Sequence, residues 1–137
     1  MQEMKILPLH NEITVTTADL SGEVDLAPYI NVGKSEVKAF LFASKNALTS
    51  DEQEPATTTD TTLGYTIQES ETTASSDFGD AVATFTSLAF TTDLSEAFEE
   101  LHFVPTKRYV RGVADIAGTT PALALSSGIV AVKRFTT

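Results

Sequence analysis

Residues Glu36–Ser44 read EVKAFLFAS, a run with apolar side chains at both parities. Val37, Ala39, Leu41 and Ala43 fall on one side, and Phe40 and Phe42 on the other. In an extended chain, successive side chains point to opposite faces. The run therefore predicts a strand covered on both faces and central in its sheet. Just upstream, Gly33-Lys34-Ser35 has the ending of a phosphate-binding loop. That motif needs a glycine five residues before Gly33, where Pro28 stands, and it opens a helix rather than a strand. The segment reads as a β-turn.

Extended patterns continue in both directions. Glu12–Thr17 alternates, with Ile13 and Val15 on one face. Val24–Val32 is extended but interrupted at Pro28, which suits an edge or a bend. Lys45–Thr62 reads as a long solvated loop, and Thr72–Asp80 as a turn-rich connection. Leu63–Glu71 places Tyr65 and Ile67 together, and Ala81–Thr91 is strongly strand-like. Asp93–Leu101 stays open: Asp93 and Glu96 have capping-box spacing, but the segment lies between strands and also fits an extended connection. Arg108–Ala117 is a strand, Gly118-Thr119-Thr120-Pro121 a turn, and Ala122–Phe135 a closing strand with Gly128 as its candidate bulge. Seven or eight strands with at most one short helix imply an all-β antiparallel sandwich, of jelly-roll or immunoglobulin-like type. Residues 1–11 read as an N-terminal arm and 12–137 as one domain.

The 137 residues are enough for one domain and its core, with 42% hydrophobic residues and a mean hydropathy of 0.00. Thr and Ser number 21 and 11, and these β-branched and hydroxyl residues suit strands and turns better than a disordered chain. With no Cys there is neither a disulfide framework nor a Cys metal site, which suits a reducing compartment. No apolar stretch reaches the roughly 18 residues of a membrane helix, and Met1–Ile6 lacks the apolar run of a secretory signal. Synthesis in a cytoplasm is expected.

Net charge is −10, which opposes general binding to nucleic acid and to anionic membranes. The charge is uneven. Residues 1–106 hold 18 acids and four bases, whereas 107–137 hold five bases and one acid. Lys107-Arg108-Tyr109-Val110-Arg111 is basic and aromatic, but alternation splits its bases between two faces.

Motifs for chemistry are sparse. His10 and His102 are lone histidines, read as surface or strand-end residues. Ser126-Ser127-Gly128 lacks the leading glycine of a nucleophile elbow, and no histidine spacing fits zinc. Glu69, Glu71, Asp77 and Asp80 are hard-cation ligand types, but their spacing matches no EF-hand, and they read as a solvated acidic loop. No catalytic residue, metal or cofactor is implied.

Two stretches carry a family resemblance. Leu63-Gly-Tyr-Thr-Ile-Gln-Glu-Ser70 is followed by a polar loop and Asp77-Phe-Gly-Asp-Ala-Val82. Pro105-Thr-Lys-Arg-Tyr-Val-Arg111 is followed by Gly118-Thr-Thr-Pro121 and Gly128-Ile-Val-Ala-Val132. Together they resemble the capsid cement (decoration) proteins of tailed bacteriophages and related small β-sandwich virion proteins. The resemblance spans Leu63 to Arg134, and its most distinctive part is KRYVR followed by a G-T-x-P turn. Residues 51–62 and the LSEAFEEL segment have no counterpart in it, so head, neck and tail positions stay open.

The resemblance implies a non-enzymatic structural protein on the capsid exterior. Its partner would be the major capsid protein, and it would form a homo-oligomer, with a trimer favoured. The candidate contacts are Met4, Ile6 and Leu7 in the arm, and Arg108, Arg111 and Arg134 if they meet acidic partners. The alternative is a carbohydrate-binding or host-adhesion module. That reading suffers from the absence of Trp and from having only Tyr29, Tyr65 and Tyr109 to stack on sugars.

Overall fold

The computed structural model describes residues 2–15, 17–29, 36–44, 61–79, 81–90, 96–118 and 123–134. Ten strands lie among them: β1 (Gln2–Val15), β2 (Asp19–Leu20), β3 (Val24–Asp25), β4 (Glu36–Ser44), β5 (Thr61–Ser70), β6 (Ala81–Thr84), β7 (Leu88–Phe90), β8 (Glu96–His102), β9 (Tyr109–Ala117) and β10 (Leu123–Arg134). One sheet has the order β1-β10-β4-β8. In the other, β9 and β5 are central, β2 and β3 flank β9, and β6 and β7 flank β5. Every pairing is antiparallel. The chain is an all-β sandwich, as the alternation predicts.

The core lies between the sheets and follows side-chain parity. Val37, Ala39, Leu41 and Ala43 of β4 point into it. Facing them from the second sheet are Leu63, Tyr65 and Ile67 of β5, and Val110, Ala114 and Ile116 of β9. β4 is central, as expected, but it is not covered on both faces. Its Phe40 and Phe42 look outward; Phe40 is half-buried and Phe42 exposed.

The open segment 93–101 resolves as a strand over its described part. Glu96–His102 pairs along β4 from Ser44 to Lys38, and Ala97, Glu99 and Leu101 take the inward parity. Ladder bonds to a long central strand pair one side of this backbone, and its alternation has period two. At Pro28 the chain bends as expected: Ala27–Tyr29 is a short 3-10 turn, and the Asp25 carboxylate accepts the Ala27 N–H at 2.9 Å. β5 begins at Thr61, so it takes in Thr61 and Thr62, which the sequence reading assigned to the loop. Residues 45–60, and the Gly33-Lys34-Ser35 and Thr119–Pro121 turns, lie outside the described residues.

The boundary placed at residue 11 falls within β1, which pairs with β10 from Gln2↔Arg134 to Val15↔Leu123. β1 is an edge strand, where Pro8 is tolerated because an edge leaves one row of N–H groups unpaired. Its register slips between Pro8↔Gly128 and His10↔Ser127, making Leu9 a bulged residue, and slips again before Ile13↔Leu125. The bulge therefore sits on β1, opposite Gly128, rather than on β10.

Candidate functional site

The outer face of the four-stranded sheet carries a strip of apolar residues. Met4 and Ile6 on β1 stand beside Val132 and Val130 on β10, and Phe42 on β4 stands beside Phe98 on β8. Gly128 joins the two groups. A Cβ there would lie 2.9 Å from Phe40 Cζ and 2.8 Å from the Leu7 carbonyl oxygen, so its absence lets the Phe40 ring settle over β10. Met4, Ile6 and Phe98 are 66%, 62% and 62% exposed, too much for packing residues of this domain. They belong to one diagonal strip that crosses all four strands. A contiguous apolar strip on a rigid sheet is the kind of surface proteins use for contact.

The six candidate contact residues divide. Met4 and Ile6 lie on this strip, whereas Leu7 turns inward and packs against the core. Arg134 pairs with Gln2 at the end of β10, and its side chain lies outside the described residues. Arg108 and Arg111 are bound within the domain. Arg108 donates from Nε and Nη2 to both oxygens of Asp25, at 3.0 and 2.8 Å, and holds that carboxyl below its ordinary range. Arg111 donates to Gln68 Oε1 and Ser75 Oγ, and its guanidinium stacks 4.4 Å from the Phe78 ring centre. Of the acidic loop, Glu69 accepts from the backbone N–H groups of Thr106 and Lys107, and Asp77 from the Thr72 hydroxyl. Asp80 is outside the described residues.

A polar cluster between the sheets escaped the sequence reading. His10, read as a surface or strand-end residue, lies within β1 and is 3% exposed. Its Nε2 lies 2.9 Å from Asp19 Oδ2, and its Nδ1 lies 2.7 Å from the Tyr65 hydroxyl. Ser127 Oγ lies 2.5 Å from the Tyr65 oxygen and accepts the His10 backbone N–H at 3.2 Å. One proton assignment satisfies every member. Ser127 donates to Tyr65, Tyr65 to His10 Nδ1, and His10 Nε2–H to Asp19. Burial lowers the His10 pKa despite the adjacent carboxylate, and burial raises that of Tyr65. Neutral imidazole and neutral phenol are the forms this chain of donors requires. His10 and Ser127 belong to one sheet and Tyr65 and Asp19 to the other, so the cluster ties the two layers together.

Ser127, His10 and Asp19 are the residue types of a hydrolytic triad, but the arrangement does not activate the serine. Ser127 Oγ is 3.4 Å from His10 Nδ1, and the Tyr65 hydroxyl takes that nitrogen's lone pair at 2.7 Å. The serine is also 1% exposed. A general base must reach its nucleophile's proton; here that proton goes to tyrosine. Gly112 on β9 makes room for the ring, since a Cβ there would lie 1.8 Å from the Tyr65 oxygen. Parity offered one clue to the cluster. In Leu123, Leu125, Ser127, Ile129 and Ala131, the inward row of β10, Ser127 is the one polar residue.

No protein-family model matches the sequence, and no curated protein matches it. Solved structures share its fold. The structure of infectious bursal disease virus, Gx strain, matches at TM-score 0.55 and 11% identity, over 96% of this chain and 32% of the viral one. A mutant VP2 protein of the same virus, in derived T=1 particles, matches at 0.54 and 11%, over 97% and 32%. Dimeric latent PorU from Porphyromonas gingivalis matches at 0.52 and 10%, over 96% and 12%. The chain thus spans about a third or less of each of these proteins, and what it shares with them is the β-sandwich fold.

Proposed function

We propose that this chain is a structural virion protein, a capsid cement protein that binds the outside of a phage head and stabilises the shell. The observation that carries the reading is the outward apolar strip from Met4 and Ile6 to Phe98. It is the natural contact surface for the major capsid protein or for another copy in a trimer. Three things support it: the sequence resemblance, a sandwich fold of a kind also found in virus particles, and an interior polar cluster whose bonds hold the sheets rather than expose a nucleophile. A role without catalysis is part of the proposal.

The test uses expanded heads that lack the protein. The wild-type chain should sediment with them, and a variant carrying Ile6→Asp and Phe98→Asp should stay in the supernatant while keeping its far-UV spectrum. Wild-type protein that never associates with heads would end the reading; equal binding by the variant would remove the strip from the contact. The solution mass of the free protein tests the trimer. The sugar-binding alternative finds little support in the tyrosines, since Tyr29 and Tyr65 are buried and Tyr109 lies under the Arg108 guanidinium.

A further inference from the structure

We propose that β8 is a docking edge for an extended cationic segment of a partner protein, which joins the four-stranded sheet as a fifth strand. This goes beyond the virion reading and does not depend on it. Among the described residues β8 pairs only with β4, so the backbone groups along its other side have no ladder partner. Glu96, Phe98, Glu100 and His102 share the outward parity of the strand. Phe98 is largely exposed and is flanked by two exposed glutamates. The Lys38 ammonium lies 3.8 Å from Glu100, a loose surface pair that a closer cation can replace. Glu99 points to the other face and is already used, accepting from the Thr86 N–H and hydroxyl at 3.2 and 3.0 Å.

Charge decides the occupant. Two copies of β8 pairing antiparallel about Phe98 would set Glu96 of each opposite Glu100 of the other, and like charges directly opposite destabilise a strand pair. With a net charge of −10, a second copy is the wrong partner for this edge. A strand whose outward side chains run basic, apolar, basic at every second residue meets Glu96, Phe98 and Glu100 in turn. The pattern is symmetric, so it fits in either strand direction. Main-chain bonds would supply affinity and the three outward side chains selectivity, as in other strand-addition modes.

The test uses three blocked peptides: Thr-Lys-Thr-Val-Thr-Lys-Thr, its counterpart with Glu for Lys, and a version of the lysine peptide with the backbone nitrogens of all five central residues methylated. Each is titrated at low salt into the full isotope-labelled chain and read by amide chemical shifts and hydrogen exchange. The lysine peptide should shift and protect the β8 amides. The glutamate peptide should bind at least about tenfold more weakly, and the methylated peptide, which cannot donate to the ladder in either strand direction, should not protect β8. Glu96→Lys with Glu100→Lys should invert the preference. Should that variant fail to fold, Glu96→Gln with Glu100→Gln should weaken the lysine peptide about fivefold. The proposal is overturned if the lysine peptide leaves β8 unperturbed up to about 1 mM, if the perturbation lies elsewhere, or if peptide charge makes no difference.

Discussion

Replacing Tyr65 with Phe deletes one oxygen where the two sheets are tied. It removes the bond to His10 Nδ1 and the bond received from Ser127. If both partners stayed unsatisfied in the core, each would cost about 1–3 kcal/mol. The geometry offers relief. Ser127 Oγ already stands 3.4 Å from Nδ1, so closing by about half an ångström turns it into the donor the ring needs. The predicted loss is therefore about 1–2 kcal/mol, or roughly 3–6 °C in Tm for a domain of this size. Removing the serine as well takes that relief away. Tyr65→Phe with Ser127→Ala should lose about 1 kcal/mol more than the sum of the single changes. Urea unfolding followed by far-UV circular dichroism measures this, since the chain has no Trp and the substitution removes a tyrosine. A single-variant loss below about 0.5 kcal/mol, together with additivity in the double variant, would refute the idea that these groups act as one network.

Gly112→Ala should be worse than Tyr65→Phe, because the new methyl displaces the whole ring; we expect about 3 kcal/mol or more, measured in the same urea titration, and a neutral substitution would contradict the close approach. The depressed pKa of His10 predicts a pH dependence. The unfolded chain takes up this proton near pH 6.5 and the folded chain only at lower pH, so stability should be full above about 6.5 and fall as pH drops below it, by at most about 1.4 kcal/mol per pH unit. Unfolding free energies between about pH 7 and 5.5 test this, and the slope should flatten in His10→Gln; an unchanged slope would reassign the proton. Arg108→Ala should leave stability nearly unchanged, because its partner Asp25 is also solvent-exposed, and its thermal melts at low and high salt should lie close to those of the wild type.

Strands were legible wherever one face is buried and the other is not. In β9 the inward row is Val110, Gly112, Ala114 and Ile116, and in β10 the inward row is apolar but for Ser127. β4 shows where that reasoning overreaches. Phe40 and Phe42 made its second face look interior, yet that face is open in the domain. Apolar parity marks surfaces that are covered, and it cannot say whether the cover lies in the same chain. In Asp93–Leu101, Leu94, Phe98 and Leu101 mimic a helical period, while pairing with β4 makes the described part a strand.

His10 was missed for a sharper reason. Even-numbered residues Met4, Ile6 and Pro8 register with the outward row of β10, and strict alternation sends His10 outward with them. The bulge at Leu9 shifts parity by one, and His10 turns inward opposite Ser127. A one-residue irregularity thus converts a surface histidine into an interior tie. The same bulge separates two roles on one strand. Before it, β1 contributes Met4 and Ile6 to the outward strip; after it, β1 contributes a buried imidazole that links its sheet to β2 and β5. The polar cluster and the apolar strip thus share β1 and β10, and the buried imidazole stands where the register of β1 changes.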